Sequence, residues 1–199
     1  MATQRPACTY DDATHIYRIG DRIVPSVTQV LADLLPSWKA SEWHLQRGRA
    51  VHACCAMIAR GQKFDADPQI AGQVQAARLW FAQVQPHVKE VELPMFSMRY
   101  QFAGTCDLVC AIGGHNCVVD FKASMTPAVR YQTGAYGVLF VEYVKAVGPA
   151  WGIGVELHED GTYKMSERYL IAGAGREFLA LLAAYKIRRD CGVKQEETE

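Results

Sequence analysis

The feature that most constrains this chain is a change of rhythm near residue 88. Before it, apolar residues recur at helical spacing, as in "PQIAGQVQAARLWFAQVQ"; after it they alternate through "VKEVELPMFSMRYQFAGTCDLVCAIGGHNCVVDFK". That segment predicts successive strands, the last two joined by a turn at Gly113-Gly114. "CDLVC" and "CVVDFK" are too apolar for an exposed edge, yet they carry Asp107, Asp120 and Lys122. Buried charge is costly unless it is paired or holds a metal.

The flanks organise around that block. "HIYRIGDRIVPS" predicts a hairpin turning at Gly20-Asp21. Ser26 or Thr28 would cap a helix through "VTQVLADLL" that stops near Pro36. A second helix is expected from about Ser37 to Arg60, with Gly61 as its stop, and a third with Pro68 in its first turn, ending before Pro86. After the strands, "TPAVRYQTGAYGVLFVEYVKAV" reads as helix and "AWGIGVELHEDGTYKMSERYL" as a hairpin turning at Asp160-Gly161. "GREFLALLAAYKIRRD" closes as an amphipathic helix, and the acidic "KQEETE" is expected to be disordered. The pattern predicts an α+β (mixed α/β) fold, with a small central mixed sheet flanked by helices. One domain is expected over 1–199: hairpin and helices 14–86, sheet and helix 88–146, hairpin and helix 150–191, and a tail from 192.

Acidic and basic residues balance at 21 each, so net charge argues neither for nor against nucleic acid. Basic surface must be local, near Lys39, Arg47 and Arg49 or at Lys186, Arg188 and Arg189. No stretch is long and apolar enough to span a bilayer, and "MATQRPACTYDD" lacks a signal peptide's apolar region; a reducing cytoplasm is expected. The seven cysteines include no C-x-x-C pair, which argues against structural zinc. Cys106 and Cys110 are evenly spaced, which predicts that both point away from the Asp107 face.

Asp120 and Lys122 are two apart and share a strand face, with Phe121 on the other. If the Gly-Gly turn closes a hairpin, Asp107 joins them from the neighbouring strand, and Glu92 or its rival Glu90 from the strand before. Carboxylates so gathered raise one another's pKa unless a hard divalent cation resolves the conflict. The bland alternative is an exposed Asp–Lys pair on a solvated hairpin. In "RGRAVHACCAM", Gly48 and His52 share a helix face; Gly48 would permit close backbone approach, and His52 is a metal ligand or a satisfied core or surface histidine. In "YQTGAY", Gln132 and Tyr136 are likewise four apart, either as phosphate contacts or as an ordinary helix flank. A thiol enzyme using Cys54 or Cys55 near His52 is a poor third reading, because adjacent helical residues diverge and no orienting acid is evident.

Taken in order, these residues resemble the PD-(D/E)xK nuclease superfamily, in its RecB-like and phage (lambda) exonuclease branch. The carriers are Gly48-Arg49-Ala50-Val51-His52, Glu92, "FAGTCDLV", "VVDFKAS" and "QTGAY", with "VPSVTQVL" similar to the opening helix of phage members. The resemblance implies a restriction-endonuclease-like core and Mg²⁺- or Mn²⁺-dependent hydrolysis of DNA. It implies Asp107, Asp120, Glu92, His52 and the Phe121 carbonyl as metal ligands, and Lys122 to position or activate water. Gln132, Tyr136 and Arg49 would hold substrate. A single-strand annealing partner and a ring-shaped oligomer are implied more loosely. Only Cys191 lies near the C-terminus, so the iron–sulfur cluster of one branch is not expected. The alternative is a nucleic-acid-binding or assembly module that keeps the fold without catalysis.

Overall fold

A computed structural model of the chain describes residues 7–11, 14–35, 41–144 and 148–192. The alternating segment forms β4 (His87–Ser97), β5 (Phe102–Ile112) and β6 (His115–Lys122), each antiparallel to the next. Gly113 and Gly114 join the last two with φ of 57° and 81°, the left-handed region that a two-residue hairpin turn of matching twist requires. Helix α4 (Ala128–Val144) then carries the chain to β7 (Trp151–Leu157), which lies parallel to β6. Strand β8 (Tyr163–Met165) returns antiparallel across the turn at Gly161, and the short β9 (Tyr169–Leu170) pairs with the start of β7. The order β4-β5-β6-β7-β8 makes a mixed sheet, and β5 and β6 are interior strands.

The N-terminal hairpin is β2 (Ile16–Ile19) with β3 (Arg22–Val24), turning at the predicted Gly20-Asp21. It gains an unpredicted third strand, β1 (Cys8–Asp11), in the stretch read only as polar. Tyr10 stacks on Tyr17 at 4.5 Å across that pair, which gives a short polar strand an aromatic anchor. Ser26 caps α1 (Val27–Leu34): its hydroxyl accepts from Gln29 N at 3.1 Å, while Gln29 Oε1 accepts from Ser26 N at 2.9 Å.

Helix α2 (Glu42–Ala59) begins after Ser41, and residues 36–40, where its start was expected, lie outside the described part, as does the expected tail. Gly61 follows it with φ of 67°. Pro68 belongs to the turn before α3 (Ala71–Val84) and not to its first turn, because Ile70 is the capping residue. The chain closes with α5 (Ile171–Asp190).

Helices α2 and α3 cover one face of the sheet, where Val51, Cys55, Val74 and Trp80 meet Leu108, Val119 and Phe121. Helices α1, α4 and α5 cover the other, where Val27, Leu139 and Phe178 meet Cys106, Val109 and Val118. The protein is therefore α+β, a mixed sheet between helical layers. Cys106 and Cys110 fall in opposite clusters, against the expectation from even spacing. The alternation slips between Cys106 and Leu108, and β4 slips at the same level, between Val91 and Leu93. Glu92 sits at that slip with φ of 51°, a backbone conformation unusual for a side chain of its size. Among the described residues, no helix is long and apolar enough to cross a membrane.

Candidate metal centre and cleft

The site is a fork in the sheet. Strands β5 and β6 pair from Ile112 and His115 down to Leu108 and Val119, and no further. Beyond that level β6 continues against β7, from Asp120 beside Gly154 to Lys122 beside Glu156. Strand β5 continues against β4. Asp107 and Asp120 are the first residues on either side of the gap. Glu92 stands across from Asp107, because Val91 and Leu93 flank it opposite Leu108 and Cys106.

Side chains take over where the ladder stops. Asp107 Oδ2 accepts the backbone N–H of Phe121 at 2.8 Å, and Oδ1 lies 3.1 Å from His52 Nδ1. The Phe121 ring is buried on the opposite face, edge-on to Trp80 at 5.4 Å, so this backbone N–H is held in place by packing. Asp120, with 0% of its surface exposed, has Oδ1 2.9 Å from Gln132 Nε2 and Oδ2 2.8 Å from Lys122 Nζ. The amide of Gln132 also donates to Tyr136 Oη at 3.1 Å. Asp120 and Lys122 thus share a face as predicted, and Gln132 and Tyr136 join them from α4.

One ligand atom each from His52, Glu92 and Asp107 lies within 4.8 Å of the others. A nitrogen and two carboxylate oxygens at that spacing suit a hard divalent ion. Asp120 stands outside this trio, but its buried Oδ2 has no hydrogen-bond partner beyond the ion pair with Lys122. A donor set with a spare buried oxygen beside it fits a divalent cation. Glu90 is exposed and takes no part in the trio, so the slip at Glu92 separates two residues that parity alone left equivalent.

The electrostatics differ between the aspartates. Burial pushes Asp107 up, but the His52 ring, the Lys122 ammonium and the Phe121 N–H outweigh it, and the carboxyl titrates below its usual range. Burial dominates at Asp120, and the Asp107 charge adds to it against the pull of Lys122, leaving a pKa of about 6. Burial lowers His52 and Lys122, yet the carboxylates win in both; His52 rises to about 9 and Lys122 rises above its ordinary value. Lys122 is therefore a cation at neutral pH. Burial pushes Cys54 and Cys55 up, which removes the thiolate that a thiol enzyme would need.

His52, Glu92, Asp107, Lys122, Gln132 and Tyr136 line a cleft of about 1210 Å³ bordered by α2, α4 and the N-terminal hairpin. Gly48, Arg49, His52 and Ala56 present one face of α2 to it. A side chain at Gly48 would meet nothing within 4 Å, so the close approach expected there is not made by the protein itself. It is made at Gly104, where a Cβ would lie 2.9 Å from both Tyr136 Cε1 and Val27 Cγ2. Arg49 is exposed and forms no ion pair among the described residues. Sequence reasoning missed Tyr17 and Thr105, whose hydroxyls meet at 2.8 Å on the cleft wall. Only the alternation of the hairpin hinted at Tyr17, and it did not say which wall the residue would face.

No protein-family model matches this chain, and no curated protein matches its sequence. Among solved structures the chain is similar to an alkaline exonuclease (LHK-Exo) from Laribacter hongkongensis, with 16% identity over 84% of this chain and 92% of that one, at a TM-score of 0.41. A structure of LHK-Exo in complex with dAMP aligns with 13% identity over 85% and 93% of the two chains, at a TM-score of 0.41. The crystal structure of SSO0001 aligns with 16% identity over 86% and 85%, at a TM-score of 0.35.

Proposed function

We propose that this chain is a divalent-metal-dependent nuclease that hydrolyses DNA phosphodiester bonds, working from strand ends as a phage-type exonuclease. One observation carries the reading: the ligand atoms of His52, Glu92 and Asp107 converge at a cleft, beside the buried Asp120–Lys122 pair. The ordered motifs that resemble the phage-exonuclease branch support it, since their side chains meet at one fork.

Mg²⁺ or Mn²⁺ would be held by His52, Glu92 and Asp107, with Asp120 Oδ2 and the Phe121 carbonyl from the facing strand; bound there, it would polarise the phosphodiester and acidify water. Lys122, kept protonated by Asp120 and Asp107, orients the attacking water or a phosphate oxygen as a donor and offsets charge as it builds. It does not serve as a base while both carboxylates face it. Gln132 is a positioning residue: its amide holds Asp120 and accounts for the lone pair of Tyr136 Oη. The Tyr136 proton is then available to a phosphate oxygen in the cleft. Arg49 contacts the backbone of the strand from α2, and the open space before Gly48 lets that strand approach the helix. An annealing-protein partner and a ring assembly belong to the same proposal through the motif resemblance alone.

The test uses labelled linear duplex, single-stranded and closed circular DNA with Mg²⁺, Mn²⁺ or EDTA. Expected is metal-dependent degradation of linear but not circular DNA, abolished in Lys122→Met. Absence of cleavage under every metal condition, or a Lys122→Met enzyme as active as the parent, removes the reading.

A further inference from the structure

A second cavity, of about 350 Å³, opens beside the cleft, and Gln29 in the first turn of α1 borders both. Its walls bring together Arg22 from β3 and Lys186 and Arg189 from α5, with Asp190 as the one acidic residue. The chain as a whole carries no net charge, so this is a local concentration of cations.

Those cations are poorly compensated. Elsewhere on the surface arginines find carboxylates: Arg47 pairs with Glu159, Arg130 with Glu177, and Arg188, the neighbour of Arg189, with Asp33. Arg22 and Arg189 form no ion pair among the described residues. Arg189 instead lies over the Tyr185 ring at 5.8 Å. Lys186 donates to a neutral acceptor, the Tyr100 carbonyl, at 2.7 Å. Burial lowers its pKa most, the nearby charge of Arg22 adds to that, and Asp190 opposes both by less. An anion seated among the three removes that repulsion. The cavity also has an apolar wall, with Ile23 56% exposed beside Tyr185.

We infer that this second cavity is a phosphate-binding site for a nucleic-acid strand whose reacting end lies in the adjoining cleft. The inference deepens the nuclease reading and rests on it for the identity of the strand. Guanidinium groups from separate elements suit a tetrahedral phosphate, and Ile23 and Tyr185 suit the sugar or base attached to it. Gln29 of α1 borders both cavities, so a strand that crosses this turn would be held here in register while its end reacts. Phosphate contacts of this kind position without reading sequence.

Binding is measured by fluorescence anisotropy in EDTA, with a labelled oligonucleotide in one arm and a deoxynucleoside monophosphate in the other, across a salt series. In Arg22→Ala/Arg189→Ala, oligonucleotide affinity is expected to fall about tenfold or more, and the slope of log affinity against log salt by about one to two. Both arginines are exposed, so the variant should fold. Asp190→Asn, which removes the repulsive acid, should tighten binding. Weakening of the oligonucleotide arm alone identifies a site for an internal phosphate; weakening of both arms identifies one that also takes a terminal phosphate. Hydrolysis of a small phosphodiester too short to span both cavities should not change. Parental affinity and salt slope in the double variant overturn the inference, as does a parent that binds neither probe. A parent that binds through these residues but cleaves no DNA defeats the nuclease reading and leaves the phosphate site standing.

Discussion

The two ends of the β5–β6 pair use the same strands and close their backbones differently. At the turn end the ladder runs without interruption from Leu108–Val119 to Ile112–His115, with Cys110 facing Cys117 in the core. At the other end the strands part, and the Asp107 carboxylate accepts the Phe121 N–H at 2.8 Å. The closed end holds apolar side chains because its backbone groups satisfy one another. The open end can hold charge because the opening leaves a backbone donor for a carboxylate and admits His52 from α2. A charge at the closed end would have neither. The fork is thus what lets a buried sheet carry a polar site.

The sharpest way to break this comparison is to separate the charge of Asp107 from its shape. Asp107→Asn keeps an oxygen for the Phe121 N–H but removes the anion. Metal-dependent hydrolysis should fall by about 10³-fold or more, with a modest loss of stability. Asp107→Ala should lose activity equally and destabilise by about 3–5 kcal/mol, since it strips the buried N–H and the His52–Asp107 pair together. Nuclease assays beside urea unfolding separate the two variants. Equal stability in both would mean that the carboxylate does not replace the missing ladder.

Titration of the metal-free protein gives a smaller effect of known sign. His52 is raised from 6.5 to about 9, so its pairing with Asp107 stabilises fully below pH 6.5 and that contribution is lost as pH rises through about 9. About a third of the side chain (32%) is exposed, so the contribution is on the order of 1–2 kcal/mol. Asp120 is raised from 3.8 to about 6, so its ionisation in the fold costs stability across that lower window. Stability in EDTA should therefore fall with rising pH through both windows, and His52→Gln should flatten the upper one. Mn²⁺ should reverse the upper trend, because a ligating imidazole must be neutral. Melting curves across pH, with and without Mn²⁺, check the sign.

How much of this was legible beforehand divides along the same fork. The Gly-Gly hairpin, the helix caps at Ser26 and Gly61, and the shared face of Asp120 and Lys122 follow from local rules, and the structure has them. Helical spacing placed Gly48 with His52 and Gln132 with Tyr136 on common faces, both of which line the cleft. Parity failed where the strands slip. It left Glu90 and Glu92 equivalent and put Cys106 and Cys110 on one face, because period-2 alternation assumes an unbroken pleat. The slip falls where β6 parts from β5 while β4 stays paired with β5, a tertiary event with no local signature in "KEVELP" or "TCDLV". Strand β1 escaped for a related reason: a short polar segment becomes a strand only because the β2–β3 hairpin offers it an edge.

The smallest effect sharpens the comparison most cleanly, because it changes one hydrogen to a methyl at each end of β5. At Gly104 that methyl would sit 2.9 Å from the Tyr136 ring and from Val27. Gly104→Ala should cost about 1–2 kcal/mol and lower kcat by displacing Tyr136, the partner of Gln132. At Gly113, with φ of 57° and open space around it, Gly113→Ala strains only the turn and should cost about 1 kcal/mol. Its kcat and KM should equal the parent's, since the paired ladder stands between the turn and the fork. Stability loss in both variants, with activity loss confined to Gly104→Ala, is the pattern expected if the two ends act as separate units. An activity loss in Gly113→Ala would mean that strain passes along the ladder, and the division between a structural end and a chemical end would fail.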